Sequence, residues 1–256
     1  MCPFGAVGKD FVVANRIFIT GDTHGASEIG RLNKTFPVGR ELDKDDYLVV
    51  CGDFGLVWAD RSKYSYWLRW LDKKPFTTLF VDGNHENFDM LEAMDVERWH
   101  GGTVHRVNDS VFHLMRGQVF DIAGRSFFCM GGARSVDKAR RTPHISWWPQ
   151  EIPSPEERAA AWAALDARGW RVDYVLTHCA ASTAQHRLNP TYENDELTLF
   201  LGDVERKLDY RRWFFGHYHE DRAIDERQVA IFEDVVEIMS DDAGDRLRYV
   251  YRAQDT

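Results

Sequence analysis

The chain lacks any pair of cysteines spaced as a redox or metal-binding motif. Its four cysteines, Cys2, Cys51, Cys129 and Cys179, form no CxxC, which argues against a disulfide framework and for a reduced, cytoplasmic protein. It also lacks a long apolar run. Nothing nears the ~20 residues needed to span a bilayer, so no membrane association is expected. Met1 to Asn15 holds no basic segment followed by an apolar stretch, so no signal peptide is expected either. A basic excess is missing too: 32 Lys and Arg stand against 41 Asp and Glu, a net charge of −9. Nucleic-acid surfaces usually carry a basic face, so this balance points away from nucleic acid. There is no internal repeat and no linker-like tract.

What is present is enough for a core. Of the 256 residues, 44% are apolar, and a single domain over 1–256 is expected. Arg16–Thr20, Tyr47–Cys51 and Thr77–Val81 are short apolar runs, each followed by a turn rich in Gly, Asp and Asn. Continuous apolar runs are what strands buried on both faces look like. A helical pattern over Tyr64–Asp72 lies between two of them, and strand–helix–strand order predicts an α/β fold with parallel strands. Val111–Met115, Gln118–Ile122 and Ser126–Met130 are closely spaced and read as antiparallel strands. After a loop from Gly131 to Pro153, Ser154, Pro155 and Glu157 form a capping-box helix start, and Gly169 a stop. Trp170–Thr177 reads as a strand, Leu197–Leu208 as a helix and Arg212–Phe215 as a strand. Val229–Phe232 and Arg248–Arg252 read as closing β-structure.

Five of these strands end in side chains that bind metals. They are Asp22 and His24 in GDTHG, Asp53 in CGDFG, Asn84 and His85 in GNHE, His178 in THC, and His217 and His219 in GHYH. In α/β folds the C-terminal strand ends converge on one crevice. The i, i+2 spacing of Asp22/His24 and His217/His219 lets both side chains of a pair point one way. Any one Gly-Asp after a strand is ordinarily just a turn; the joint pattern is what points to a metal site. Phosphate-ester hydrolysis needs a strong nucleophile and neutralised phosphoryl oxygens. Two ions ~3.5–4 Å apart supply both by sharing a hydroxide and clamping the phosphate. Imidazole and oxygen ligands suit Mn, Fe, Zn or similar ions.

The series D-x-H, G-D, G-N-H-[DE], a lone His after a strand, then G-H-x-H resembles that of the calcineurin-like metallophosphoesterases. All five elements occur in that order between Asp22 and His219. The resemblance implies a sandwich of two packed mixed β-sheets flanked by helices, holding two divalent metal ions. It implies that Asp22, His24 and His219 bind one ion, that Asn84, His178 and His217 bind the other, and that Asp53 bridges them. His85 would face the substrate and protonate the leaving oxygen or steady the transition state.

The resemblance does not extend to protein Ser/Thr phosphatases. Their second motif continues G-D-x-V-D-R-G, whereas Asp60 and Arg61 come four residues too late here. The GGARSVDKARR stretch and the later SWW instead look like small bacterial and phage phosphoesterases. Within that stretch Arg134, Lys138 and Arg141 are candidates to bind the substrate phosphate, against the plainer reading of a solvated basic loop. Trp147 and Trp148 read as core packing rather than a lid. His100, His105, His113, His144 and His186 match no motif. A mono- or diesterase for a small substrate is expected; a nuclease and a non-catalytic protein-binding scaffold are the alternatives. The scaffold reading would be marked by missing ligands, and none is missing.

Overall fold

The computed structural model describes residues 15–58, 61–241 and 244–253. Cys2 and Asp60 lie outside them. Two sheets pack face to face. The first contains β1 (Ile17–Thr20), β2 (Tyr47–Cys51), β3 (Thr77–Val81), β4 (Val96–Trp99), β5 (Gly102–Asn108), β6 (Val111–Leu114), β13 (Val235–Asp241) and β14 (Gly244–Tyr251), in the order β14-β13-β1-β2-β3-β6-β5-β4. The second contains β7 (Gln118–Ile122), β8 (Arg125–Met130), β9 (Tyr174–Thr177), β10 (Arg212–Phe215), β11 (Arg222–Ala223) and β12 (Gln228–Ala230), in the order β11-β12-β10-β9-β8-β7. Strands β1, β2 and β3 are mutually parallel, as are β8, β9 and β10, while the margins are antiparallel. This is the expected mixed two-sheet sandwich.

Alternation along the strands builds three apolar layers. Ile17, Ile19, Val49, Cys51 and Leu79 face Phe127, Cys129, Leu176 and Phe214 between the sheets. Phe18, Leu48, Val50 and Phe80 point outwards into a layer with Leu32 of α1 (Leu32–Thr35), Leu71 of α2 (Arg61–Asp72) and Leu91 of α3 (Phe88–Glu92). Phe128, Met130, Val175, Trp213 and Phe215 point the other way. They pack with Leu165 of α4 (Pro155–Ala167), Ala184 of α5 (Ser182–Leu188) and Leu201 of α6 (Glu196–Lys207). Strands β1, β2, β3 and β9 are therefore buried on both faces, which is why they read as unbroken apolar runs. The capping box forms as expected: Ser154 Oγ accepts from Glu157 N at 3.1 Å and Glu157 Oε2 from Ser154 N at 2.7 Å. Among the described residues no helix is long and apolar enough to cross a membrane.

Two expectations are corrected. Strand β6 does not pair with β7. It runs parallel to β3 and antiparallel to β5 in the first sheet, and Gly117 (φ +71°) turns the chain into the second sheet, where β7 and β8 pair. The run at 170–177 is also a strand only from Tyr174.

Candidate metal centre

Each candidate ligand follows a buried strand, and the turns interlock. His178 Nδ1 meets the carbonyl of Cys51 at 2.9 Å, which ties the end of β9 to the end of β2 across the two sheets. Asp22 Oδ1 accepts from the His217 backbone at 3.1 Å, and Asp53 Oδ1 from the His85 backbone at 2.7 Å. Glu86, buried beside Asp53, accepts from Phe54 N at 2.8 Å and Gly55 N at 3.0 Å and so fixes the second turn. Burial and the Asp53 charge push its pKa up to about 8. His24, Asp53, His217 and His219 all adopt positive φ, at 39°, 46°, 68° and 52°. Such backbone costs on the order of 1–3 kcal/mol per non-glycine residue and clusters at functional sites.

The seven expected ligands meet at this edge. Ligand atoms of Asp22, His24 and His219 lie within 4.8 Å of one another, as do those of Asp22, Asp53 and His178. Asp53 Oδ2 is 3.5 Å from His24 Nε2, while its Oδ1 is 3.3 Å from His178 Nε2. The Asp53 carboxylate thus faces a histidine of each group, and Asp22 belongs to both. The Asn84 Oδ1 is 3.2 Å from His178 Nε2, and the His217 ring centre is 5.0 Å from that of His178. Because Nδ1 of His178 is occupied by the Cys51 carbonyl, Nε2 is the atom presented to the cluster.

Two observations test whether cations fit here. Asp22 Oδ2 is buried and makes no hydrogen bond, with His219 Nε2 at 3.1 Å and His24 Nε2 at 3.9 Å around it. A buried carboxylate oxygen without a partner is costly, and a cation among these three atoms would satisfy it. The cluster also draws positive charge. Burial alone would neutralise His178, but the Asp53 and Asp22 charges raise its pKa to about 10. Burial likewise opposes charge on His24, and hydrogen bonds to Asp53 and Glu28 outweigh it, giving about 9. Bound metal would displace such protons. The donor set fits divalent ions.

His85 sits apart, half-buried, with Nε2 4.0 Å from Asp53 Oδ2. Terminal nitrogens of Arg141 lie 3.2 Å from both its ring nitrogens. Burial lowers the His85 pKa, and Arg141 reinforces that against the pull of Asp53. Arg141 is itself fixed, its Nε donating to Asp137 Oδ1 at 2.7 Å. Of the three basic candidates, Arg141 reaches the cluster. Lys138 is exposed, with Nζ 4.1 Å from the centre of the Trp147 ring. Arg134 is exposed at the start of the loop. Trp148 is fully buried and donates to Asp89 at 2.8 Å, so it packs as expected.

Sequence reasoning missed the residues behind the ligands. Asp82 lies under the GNHE turn and is held by Arg116 Nε at 2.8 Å and His113 Nε2 at 3.0 Å. Ser135 accepts from Asn84 Nδ2 at 3.2 Å, and Glu151 accepts from Ser135 N at 3.2 Å. Ser135 lies in the GGARS stretch, where the site candidates were the cations.

The fold and this cluster define a metal-dependent phosphoesterase. The chain belongs to the calcineurin-like phosphoesterase family, whose pattern matches residues 15–221. Several solved structures are similar to the chain at low identity. A Staphylococcus aureus protein described as a 5'-nucleotidase is 13% identical with TM-score 0.48, covering 94% of this chain and 55% of its own. Phosphopantetheinyl hydrolase from Mycobacterium tuberculosis is 18% identical with TM-score 0.44, covering 86% and 90%. The sulfate thiohydrolase SoxB of Thermus thermophilus is 11% identical with TM-score 0.45, covering 98% and 57%. The chain thus spans little more than half the length of the first and third. No curated protein matches the sequence.

Proposed function

We propose that the chain is a single-domain, binuclear hydrolase of small phosphate esters. Asp22, His24 and His219 would hold one divalent ion, Asn84, His178 and His217 the other, and Asp53 both. The observation that carries this reading is the placement of the two Asp53 oxygens, one towards His24 and one towards His178. Bound ions would lower the pKa of water and neutralise phosphoryl oxygens. The protein's own groups do the rest. Arg141 offers a guanidinium, held by Asp137, to a phosphoryl oxygen. His85 supplies a proton to the leaving oxygen as the ester P–O bond breaks, and the substrate's negative charge favours its protonated form.

The test is metal content followed by activity. Elemental analysis should find close to two transition-metal equivalents, or Mn²⁺ should restore them. Chelation should abolish hydrolysis of an aryl phosphate ester. Protein that takes up no metal and stays inactive with Mn²⁺ would sink the proposal.

A further inference from the structure

The loop from Gly131 to Pro153 carries the guanidinium that lies on His85. It also reaches the metal ligands from behind. Asn84 can serve a cation only through Oδ1, because Nδ2 is a pure donor. The side-chain amide can rotate by half a turn and present either atom. Ser135 Oγ meets Nδ2 at 3.2 Å and Oδ1 lies 3.2 Å from His178 Nε2; with the Ser135 hydroxyl proton directed to the Glu151 carboxylate, the oxygen is left to accept from Nδ2. Ser135 is itself buried, 3% exposed, and its backbone N–H is held by the carboxylate of Glu151, which is 1% exposed. The loop is pinned to the turn before Asn84 as well. Gly132 N donates to the Asp82 carbonyl at 2.9 Å, and Arg116 spans the Asp82 carboxylate and the Gln150 carbonyl.

We infer that Ser135, braced by Glu151, is a positioning residue that orients the Asn84 amide for the second metal ion and couples occupancy of that ion to the placement of the Arg141 loop. Resting on the binuclear reading above, it adds a direction of influence. Anything that turns the Asn84 amide releases Ser135, and anything that loosens the loop frees the amide. Partners behind a metal ligand typically matter by 10–100-fold in metal affinity.

Calorimetric titration of the metal-stripped full-length protein with Mn²⁺ tests it, alongside hydrogen exchange over 131–153 and circular dichroism to confirm folding. Wild type should show two binding events and slower exchange in the loop once both are filled. Ser135→Ala should weaken one event by about 10–100-fold, leave the other unchanged and lose the exchange response at wild-type Mn²⁺ levels. Asn84→Asp supplies the second readout. A carboxylate has oxygens on both sides and needs no orientation, so Ser135→Ala should have little effect in the Asn84→Asp background. Equal losses in both backgrounds would reduce Ser135 to a structural role and overturn the inference, as would wild-type affinities in Ser135→Ala. Wild type binding fewer than two ions would instead remove the binuclear reading beneath it.

Discussion

An imidazole pressed against a guanidinium gives up its second proton easily, and His85 is in that position, 3.2 Å from Arg141. The pairing suits a group that is recharged only when an anionic ester arrives between the two. His85→Asn should therefore reduce turnover by roughly 10²–10⁴-fold with metal content unchanged. The loss should be larger for alkyl esters than for nitrophenyl esters, whose leaving groups need little protonation. Equal losses would assign His85 to stabilising the phosphoryl oxygens instead. Among the ligands, Asp53 carries the most. On the binuclear proposal its carboxylate would lie between the ions, so Asp53→Asn would leave two cations with less negative charge between them. It should lose more metal than His219→Ala, which removes one half-exposed ligand. Mn²⁺ titration of the two variants checks the order, and two tight sites in both would refute the bridging role.

At the scale of the element, the polar support beneath the GNHE turn predicts a pH effect away from the metals. His105 on β5 is buried, with Nδ1 3.0 Å from His113 Nδ1 on β6. Burial, helped by the His113 charge and opposed by Asp82, lowers its pKa to about 4. An unfolded histidine titrates near 6.5, so between about 6.5 and about 4 the unfolded chain binds a proton that the folded chain refuses. Stability should fall as pH drops through that window and this contribution should level off below it. Urea unfolding at pH 7, 6 and 5 should show a shallower decline for His105→Gln; parallel declines would exclude His105 as a source. The elements themselves were legible to different degrees. The inner strands β1, β2, β3 and β10 announce themselves because both faces are buried. Strand β4 went unread because it sits at an edge with Val96 55% exposed, so its side chains carry no burial pattern. The break between β6 and β7 was hidden for another reason: which sheet a strand joins depends on tertiary packing, not on its own residues. The clustered Asp, Asn and His side chains were legible because each closes a strand in a short motif of its own. Ser135, Glu151 and Arg116 were not, because a hydrogen-bond partner is chosen by contacts between distant segments.

On the scale of the whole molecule, the two sheets contribute unequally to one site. Asp22, His24, Asp53 and Asn84 follow strands of the first sheet, while His178, His217 and His219 follow strands of the second. Ions bound there would bind the folded state alone, and each would add about 2.7 kcal/mol at a hundredfold excess over its Kd. For a chain of this size, chelation should then lower the melting temperature by on the order of 5–10 °C per ion lost, measurable by calorimetry with and without EDTA. An unchanged melting curve would mean that no ion holds the folded state. The same arrangement has a mechanical side. The apolar layer between the sheets resists separation over its whole area, but at the strand ends the contact passes through a few polar atoms, such as His178 on the Cys51 carbonyl. A cation shared across that seam would act as a rivet at the open end of a clasp. Without it, the sheets would have their least resistant edge at this cluster, and a pulling or prying force should begin to part them there.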